Sequence, residues 1–179
     1  MKVREPPHRR MGGNAVAGKV LVLMGSKTDR DKMQEAVQVL ERLGVDCHMT
    51  VASAHRTPDR VDDLVRTARD EGFSVIIAGA GMAAHLAGVC AARTALPVIG
   101  VPLSGGALTG LDALLSTAQM PPGVPVATVG IDAGVNAGLL AARILAIGDP
   151  ELLCRLEDDR RAMAKAAMEA AAGADGAVD

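Results

Sequence analysis

A few loop-length segments concentrate the residues able to do chemistry. The first is Gly25-Ser26-Lys27-Thr28-Asp29, which leads from an apolar run into a helical pattern. A helix N-terminus offers free N–H groups and the positive end of its dipole, so a phosphate would be stabilised there. Ser26 can add a hydroxyl, and Gly25 permits close backbone approach. Asp29 would complement the dipole or accept hydrogen bonds from sugar hydroxyls. The same residues also read as plain capping, with Thr28 as the cap and Asp31 completing the pair. The loop matches neither the GxGxxG fingerprint nor the GxxxxGK(S/T) loop.

The second segment is Ser53-Ala54-His55-Arg56-Thr57-Pro58. Thr57 as cap and Pro58 at the first helical position predict a helix start, leaving His55 and Arg56 just outside it. The planar fork of arginine suits a phosphate. Histidine, with an ordinary pKa near 6.5, can give or take a proton near neutrality. The third segment, Gly79-Ala80-Gly81-Met82-Ala83-Ala84-His85-Leu86-Ala87-Gly88, would let a flat ligand lie against the backbone. His85 falls near the first turn of an apolar helix, where a core histidine with one satisfied nitrogen is a competing reading. Pro102 to Gly110 is Gly-rich and could act as a lid. Gln119-Met120-Pro121-Pro122-Gly123 reads as a turn. His8 lies in a polar lead-in, and His48 points away from its strand's apolar set, a structural role. Two loop histidines and Asp29 do not make a metal-ligand spacing. Ser26 and Ser104 are available, but no GxSxG elbow supports a hydrolase.

The elements that must position these loops follow from periodicity. Strand-length apolar runs cover 19–24, 46–51, 74–78, 97–101 and 124–129. Segments of helical period cover 28–43, 58–70, 83–93, 108–118, 133–147 and 149–172. Five successive βα units predict an α/β protein: a flavodoxin-like parallel five-stranded sheet in a three-layer αβα sandwich, with a C-terminal helix. The crossovers should be right-handed. In such a sheet, ligands bind beyond the carboxyl ends of the strands, where the loops above fall. Residues 1–18 are expected to be a disordered lead-in, 19–172 one domain, and 173–179 a flexible tail.

The chain has 179 residues, a length suited to one domain. It is 49% hydrophobic and 22% charged, as for a soluble globular protein. Phe73 is its one aromatic residue, so the core must use small aliphatic side chains and Met. Such a core buries little area per residue, which favours self-association. The net charge of −2 and missing aromatics argue against nucleic-acid binding. Cys47, Cys90 and Cys154 have neither disulfide nor CxxC spacing, and are expected to be buried thiols in a reducing compartment, the cytoplasm. No apolar run is long enough for a membrane span, and the start does not read as a secretory signal.

Several segments then coincide with one family. Met24-Gly25-Ser26-x-x-Asp29, Ser53-Ala54-His55-Arg56-Thr57-Pro58, Ala78-Gly79-Ala80-Gly81 with Ala83-Ala84-His85-Leu86, Gly100-Val101-Pro102 and Gln119-Met120-Pro121 occur in order. Asn136-Ala137 and Leu139-Leu140-Ala141-Ala142 extend the match. The pattern, over residues 19 to 165, resembles the class I N5-carboxyaminoimidazole ribonucleotide mutase family. Met82 and Ala87 stand where many members have Gly and Pro. The resemblance implies a three-layer α/β homo-octamer with sites at subunit junctions. The implied reaction converts N5-carboxyaminoimidazole ribonucleotide to 4-carboxyaminoimidazole ribonucleotide in purine synthesis, without metal, ATP or organic cofactor. It makes His55 the acid/base and sets His85 around the carboxyl group, both counted among the catalytic residues. It gives Ser26 and Arg56 to the phosphate and Asp29 to the ribose. Gly25, Ser53, Gly79, Ala80, Gly81, Ala84 and Leu86 complete the substrate site.

On this reading the carbamate loses carbon dioxide, small-residue walls trap it, and the ring carbon is carboxylated. Three rivals stay open at this level: a carboxylase using free carbon dioxide, a related protein carboxylating a pyridine nucleotide, and a nucleotide-binding module without catalysis. The Ala83-Ala84-His85-Leu86 stretch favours the mutase class over the carboxylase class.

Overall fold

The strands begin where β-branched and aliphatic residues run together, and their side chains alternate between two cores. In the computed structural model, which describes residues 18–175, β1 (Lys19–Met24) sends Val20, Val22 and Met24 to one face. Leu21 and Leu23 go to the other. With β2 (Cys47–Val51), β3 (Phe73–Gly81), β4 (Val98–Leu103) and β5 (Ala127–Thr128) it forms one parallel sheet of order β2-β1-β3-β4-β5. This is the flavodoxin-like order, and the direction in which successive strands are added reverses at the β1/β3 boundary, where a ligand crevice is expected.

Helices α1 (Arg30–Arg42) and α5 (Gly134–Ala146) cover the first face, and α6 (Pro150–Asp175) packs outside them through Leu152 and Leu156. Helices α2 (Pro58–Thr67) and α3 (Leu86–Ala91) cover the second. Thr117 of α4 (Leu111–Ala118) packs there too, against Gly100 beside Ala87. The aliphatic core closes because backbones approach one another. A Cβ on Gly138 would stand 2.8 Å from the Ala36 carbonyl oxygen, and one on Gly134 would strike that of Lys32. These two glycines let α5 lie directly on α1.

Several boundaries differ from the sequence-based expectation. Strand β3 runs on to Gly81, because Ala80 and Gly81 pair with Pro102 and Leu103 of β4. Strand β5 shrinks to two residues at the sheet edge, where β4 alone pairs with it. Helix α3 starts at Leu86 rather than Ala83, after Met82 turns the chain with a φ of +53°. The last helix continues to Asp175, so the expected tail at 173 begins inside it. His8 and the lead-in before Gly18 lie outside the described residues. Of the three thiols, Cys90 is buried, Cys47 half-buried and Cys154 exposed, which corrects the expectation of three buried cysteines. Burial pushes the Cys90 thiol up to about 12. No helix among the described residues is long and apolar enough to cross a membrane.

Candidate active site

The loops following β1, β2, β3 and β4 meet at the carboxyl edge of the sheet around a cleft of about 690 Å³. Its walls are built by local hydrogen bonds that the residue types dictate. After β1, Ser26 caps a 3₁₀ turn over Lys27–Asp29, and its backbone N–H donates to Asp29 Oδ2 at 2.9 Å. The Thr28 hydroxyl donates to Ser26 Oγ at 2.9 Å. The capping box is therefore Ser26 with Asp29, not Thr28 with Asp31. The chain needs a tight turn before α1 begins, and Ser26 is extended as a cap must be. Burial raises the Asp29 carboxyl above its ordinary value, against the Ser26 N–H, the Thr28 hydroxyl and the charges of Lys32 and Arg56.

After β2, Thr57 occupies the expected N-cap position of α2 but makes no side-chain capping bond. Its hydroxyl accepts from the Ser53 N–H at 3.0 Å and donates to the Ser53 carbonyl at 3.2 Å, folding 53–57 into a closed turn. That turn projects His55 and Arg56 into the cleft. Arg56 Nη2 donates to the Gly25 carbonyl at 3.1 Å, and its Nε reaches Ser53 Oγ at 3.5 Å. A guanidinium has five N–H donors. Those left over from these two contacts remain free for an anion, while the contacts tie the first two loops together.

After β3, His85 stands at the N-cap position of α3 rather than in its first turn. Its Nδ1 lies 2.8 Å from His55 Nε2, with the rings edge-on at 77°. At that distance one nitrogen donates and the other accepts, so the pair shares a single proton between facing atoms. A proton delivered to one outer nitrogen can thus be matched by one released at the other.

A family model described as AIR carboxylase matches residues 19–166. The chain belongs to that family. The N5-carboxyaminoimidazole ribonucleotide mutase of Pyrococcus abyssi is 57% identical to this AIR carboxylase family chain over 145 residues, 81% of this chain and 83% of that protein. The mutase of the same description from Escherichia coli K12 is 49% identical over 153 residues, 84% and 90% of the two chains. A crystal structure of Treponema denticola PurE superposes with a TM-score of 0.76 at 26% identity, covering 85% of this chain and 95% of that one.

In this member of the AIR carboxylase family, the cleft gathers Gly25, Ser26, Asp29, Ser53, His55, Arg56, Ala80, Gly81, His85 and Leu86 from the expected set. Gly79 and Ala84 do not line it. Gly79 sits inside β3, where a Cβ would strike Met33, and Ala84 is buried beneath the turn. Both shape the wall from behind. His48 is exposed on β2, away from the cleft. Sequence reading missed Lys32 as a lining residue, and placed Met82 in the ligand-facing segment without naming it for the site. Lys32 was legible in principle, since it stands one helical turn after Asp29. It also missed Asp132, beyond β5, which accepts the Ser104 N–H at 2.8 Å and forms an ion pair with Lys32 at 2.9 Å. Burial opposes ionisation of Asp132, but the Ser104 hydroxyl and N–H and the Lys32 ammonium hold its carboxyl below the usual value.

Proposed function

We propose that the chain is a mutase of de novo purine synthesis. It would convert N5-carboxyaminoimidazole ribonucleotide to 4-carboxyaminoimidazole ribonucleotide. The observation that carries this reading is the His55–His85 contact in a cleft that also presents Ser26 and Arg56. The relatives at 57% and 49% identity carry the same mutase name.

The steps balance without an outside reactant. The carbamate C–N bond breaks, carbon dioxide leaves, and the exocyclic nitrogen takes a proton from the His55–His85 pair. The electron-rich ring carbon then attacks the retained carbon dioxide and forms a C–C bond. The ring-carbon proton returns to the histidine pair, which ends as it began. Positioned proton transfer of this kind contributes about 10²–10⁴-fold. Holding carbon dioxide beside the ring adds the advantage of effective concentration. The small residues Ala80, Gly81 and Ala83 leave room for that molecule. Ser26 and Arg56 would anchor the phosphate, Asp29 the ribose, and Ser53 and Gly25 the geometry of the anchors.

The enzyme would work as a homo-octamer in the cytoplasm. Leu108, Leu111 and Leu115 are exposed on one segment and Ile147 is 88% exposed, apolar surface that assembly would cover. Three unpaired thiols suit a reducing compartment. Sedimentation at micromolar concentration should give eight chains; a monomer would refute the assembly.

The deciding experiment compares two assays. One supplies fresh N5-carboxyaminoimidazole ribonucleotide with minimal bicarbonate, and the other supplies aminoimidazole ribonucleotide with abundant bicarbonate. Rapid product in the first alone supports the mutase. Rapid product in the second at modest bicarbonate means a carboxylase, and no product in either means a binding module.

A further inference from the structure

Three polar side chains at the rim of the cleft have no part in the steps above. Lys32 Nζ lies 2.9 Å from the Ser104 carbonyl oxygen, 2.6 Å from Ser104 Oγ and 2.9 Å from Asp132 Oδ1. An ammonium has three N–H donors, and three acceptors face this one. Lys32 therefore has no donor left for a bound nucleotide, although it lines the cleft. Asp132 accepts both the N–H and the hydroxyl of Ser104, so every polar atom of Ser104 is engaged by these two partners.

The backbone around this cluster is also specialised. Asp132 holds a φ of +55°, which aspartate tolerates better than most residues but still at a cost. Gly110, with a φ of +100°, closes the loop. A Cβ there would stand 2.8 Å from Ile131 Cγ2 and 3.1 Å from Ser104 Cα. Both ends of the segment from Ser104 to Gly110 thus meet the turn that carries Asp132. Its middle reaches across to Met82, which a Cβ on Gly106 would approach to 3.4 Å. Met82 is itself in the left-handed region and lines the cleft. The loop spans the rim from Lys32 to Met82, and among the described residues its charged anchorage is the cluster at Ser104.

We propose that Lys32, Ser104 and Asp132 form a clamp that fixes the β4–α4 loop across the cleft mouth, making Lys32 and Asp132 positioning residues for the substrate. The proposal rests on the mutase reading of the cleft. The clamp holds the wall that a closed-in nucleotide and its carbon dioxide must press against. Neither residue touches the reacting atoms. Breaking the clamp should therefore weaken substrate binding more than it slows the chemistry of the bound state.

The test uses full-length Lys32→Met, Asp132→Asn and the double variant, with Lys32→Arg as the conservative control. These hydrogen bonds are charge-assisted but partly exposed, so KM should rise about tenfold in either single variant. The turnover number should change less than about threefold. The double variant should be no worse than the poorer single one, because the residues act as one unit. Lys32→Arg should restore most of the KM. Amide exchange over residues 104–110, measured in the same proteins, should quicken in the first three variants. An unchanged KM with slow loop exchange would overturn the clamp, as would additive effects in the double variant. If the wild type turns over neither substrate, the mutase reading fails, and the exchange data still decide whether the clamp holds the loop.

Discussion

Removing the guanidinium of Arg56 tests the anion site most directly. Arg56 stands at the cleft with one Nη2 contact to the Gly25 carbonyl at 3.1 Å and a longer one to Ser53 Oγ. Neither partner is charged, so the positive charge is not neutralised by those contacts. A phosphate about 4 Å away gains about 1 kcal/mol per unit charge in water and more where solvent is partly excluded. Charge-assisted hydrogen bonds add about 1.5–3 kcal/mol in favourable geometry. The side chain is exposed, so the lower part of these ranges applies. Arg56→Ala should lose about 2–3 kcal/mol of binding, a rise in Kd of about 30- to 150-fold. Arg56→Lys keeps the charge but not the fork, and should fall between the two. Calorimetry with 4-carboxyaminoimidazole ribonucleotide measures all three. Salt should weaken wild-type binding more than that of the Ala variant. A Kd within threefold of wild type for Arg56→Ala would refute the phosphate assignment. A Lys variant equal to Ala would show that geometry, not charge, decides.

Other outcomes follow from the same structure. His55→Asn should reduce turnover by at least about 10²-fold with nucleotide affinity nearly intact, since an amide cannot relay a proton; near-normal turnover would remove the acid/base role. Met82→Gly should relieve the φ of +53° and raise stability by about 0.5–1 kcal/mol, or about 1–4 °C in Tm; a lower Tm would show that the Met82 side chain's packing beside the loop at Gly106 matters more. Brief alkylation should label Cys154 and spare Cys90, whose thiol is buried and pushed up to about 12; labelling of Cys90 before unfolding would contradict its burial. A carboxyl held below its ordinary value favours the folded form above that value and loses that contribution as pH falls through the folded value. Asp132 is such a group, with an ordinary value of 3.8. Amide exchange over 104–110, corrected for its intrinsic rate, should be slow at neutral pH and quicken only below about 3.8; quickening near pH 6 would assign the loop to another group.

The fold was legible because its signals are local. Strand-length aliphatic runs such as KVLVLM carry their own alternation, and Gly44 stops α1's segment at a φ of +70°. The sheet order was not legible from periodicity, since the register of β1 against β3 depends on contacts more than fifty residues apart. Loop chemistry was legible where one segment holds it all, as in Ser53 to Pro58. The details of capping were not, because Ser26, Thr28, Asp29 and Asp31 offer two overlapping capping patterns, and only the tight turn after β1 selects one. The His55–His85 contact joins loops thirty residues apart, and spacing could place both at one edge without bringing them to 2.8 Å.

The shortage of aromatic residues and the hidden role of Lys32 have a common origin. A core of Ala, Gly and short aliphatics fills space only if its helices come close, and α5 meets α1 at Gly134 and Gly138, against the carbonyls of Lys32 and Ala36. Larger side chains at those two positions would force the helices apart. Only the cap, Ala133, separates Asp132 from α5, so the same close approach that seals the core carries Asp132 to Lys32. The distance between this acid and this base is thus set by helix packing rather than by the loops that bear them. Gly138→Ala should therefore destabilise the protein and also loosen the loop at 104–110, although Gly138 lies well down α5 from Asp132. A loss of stability with loop exchange unchanged would show that the clamp is set locally, by the β5–α5 turn alone.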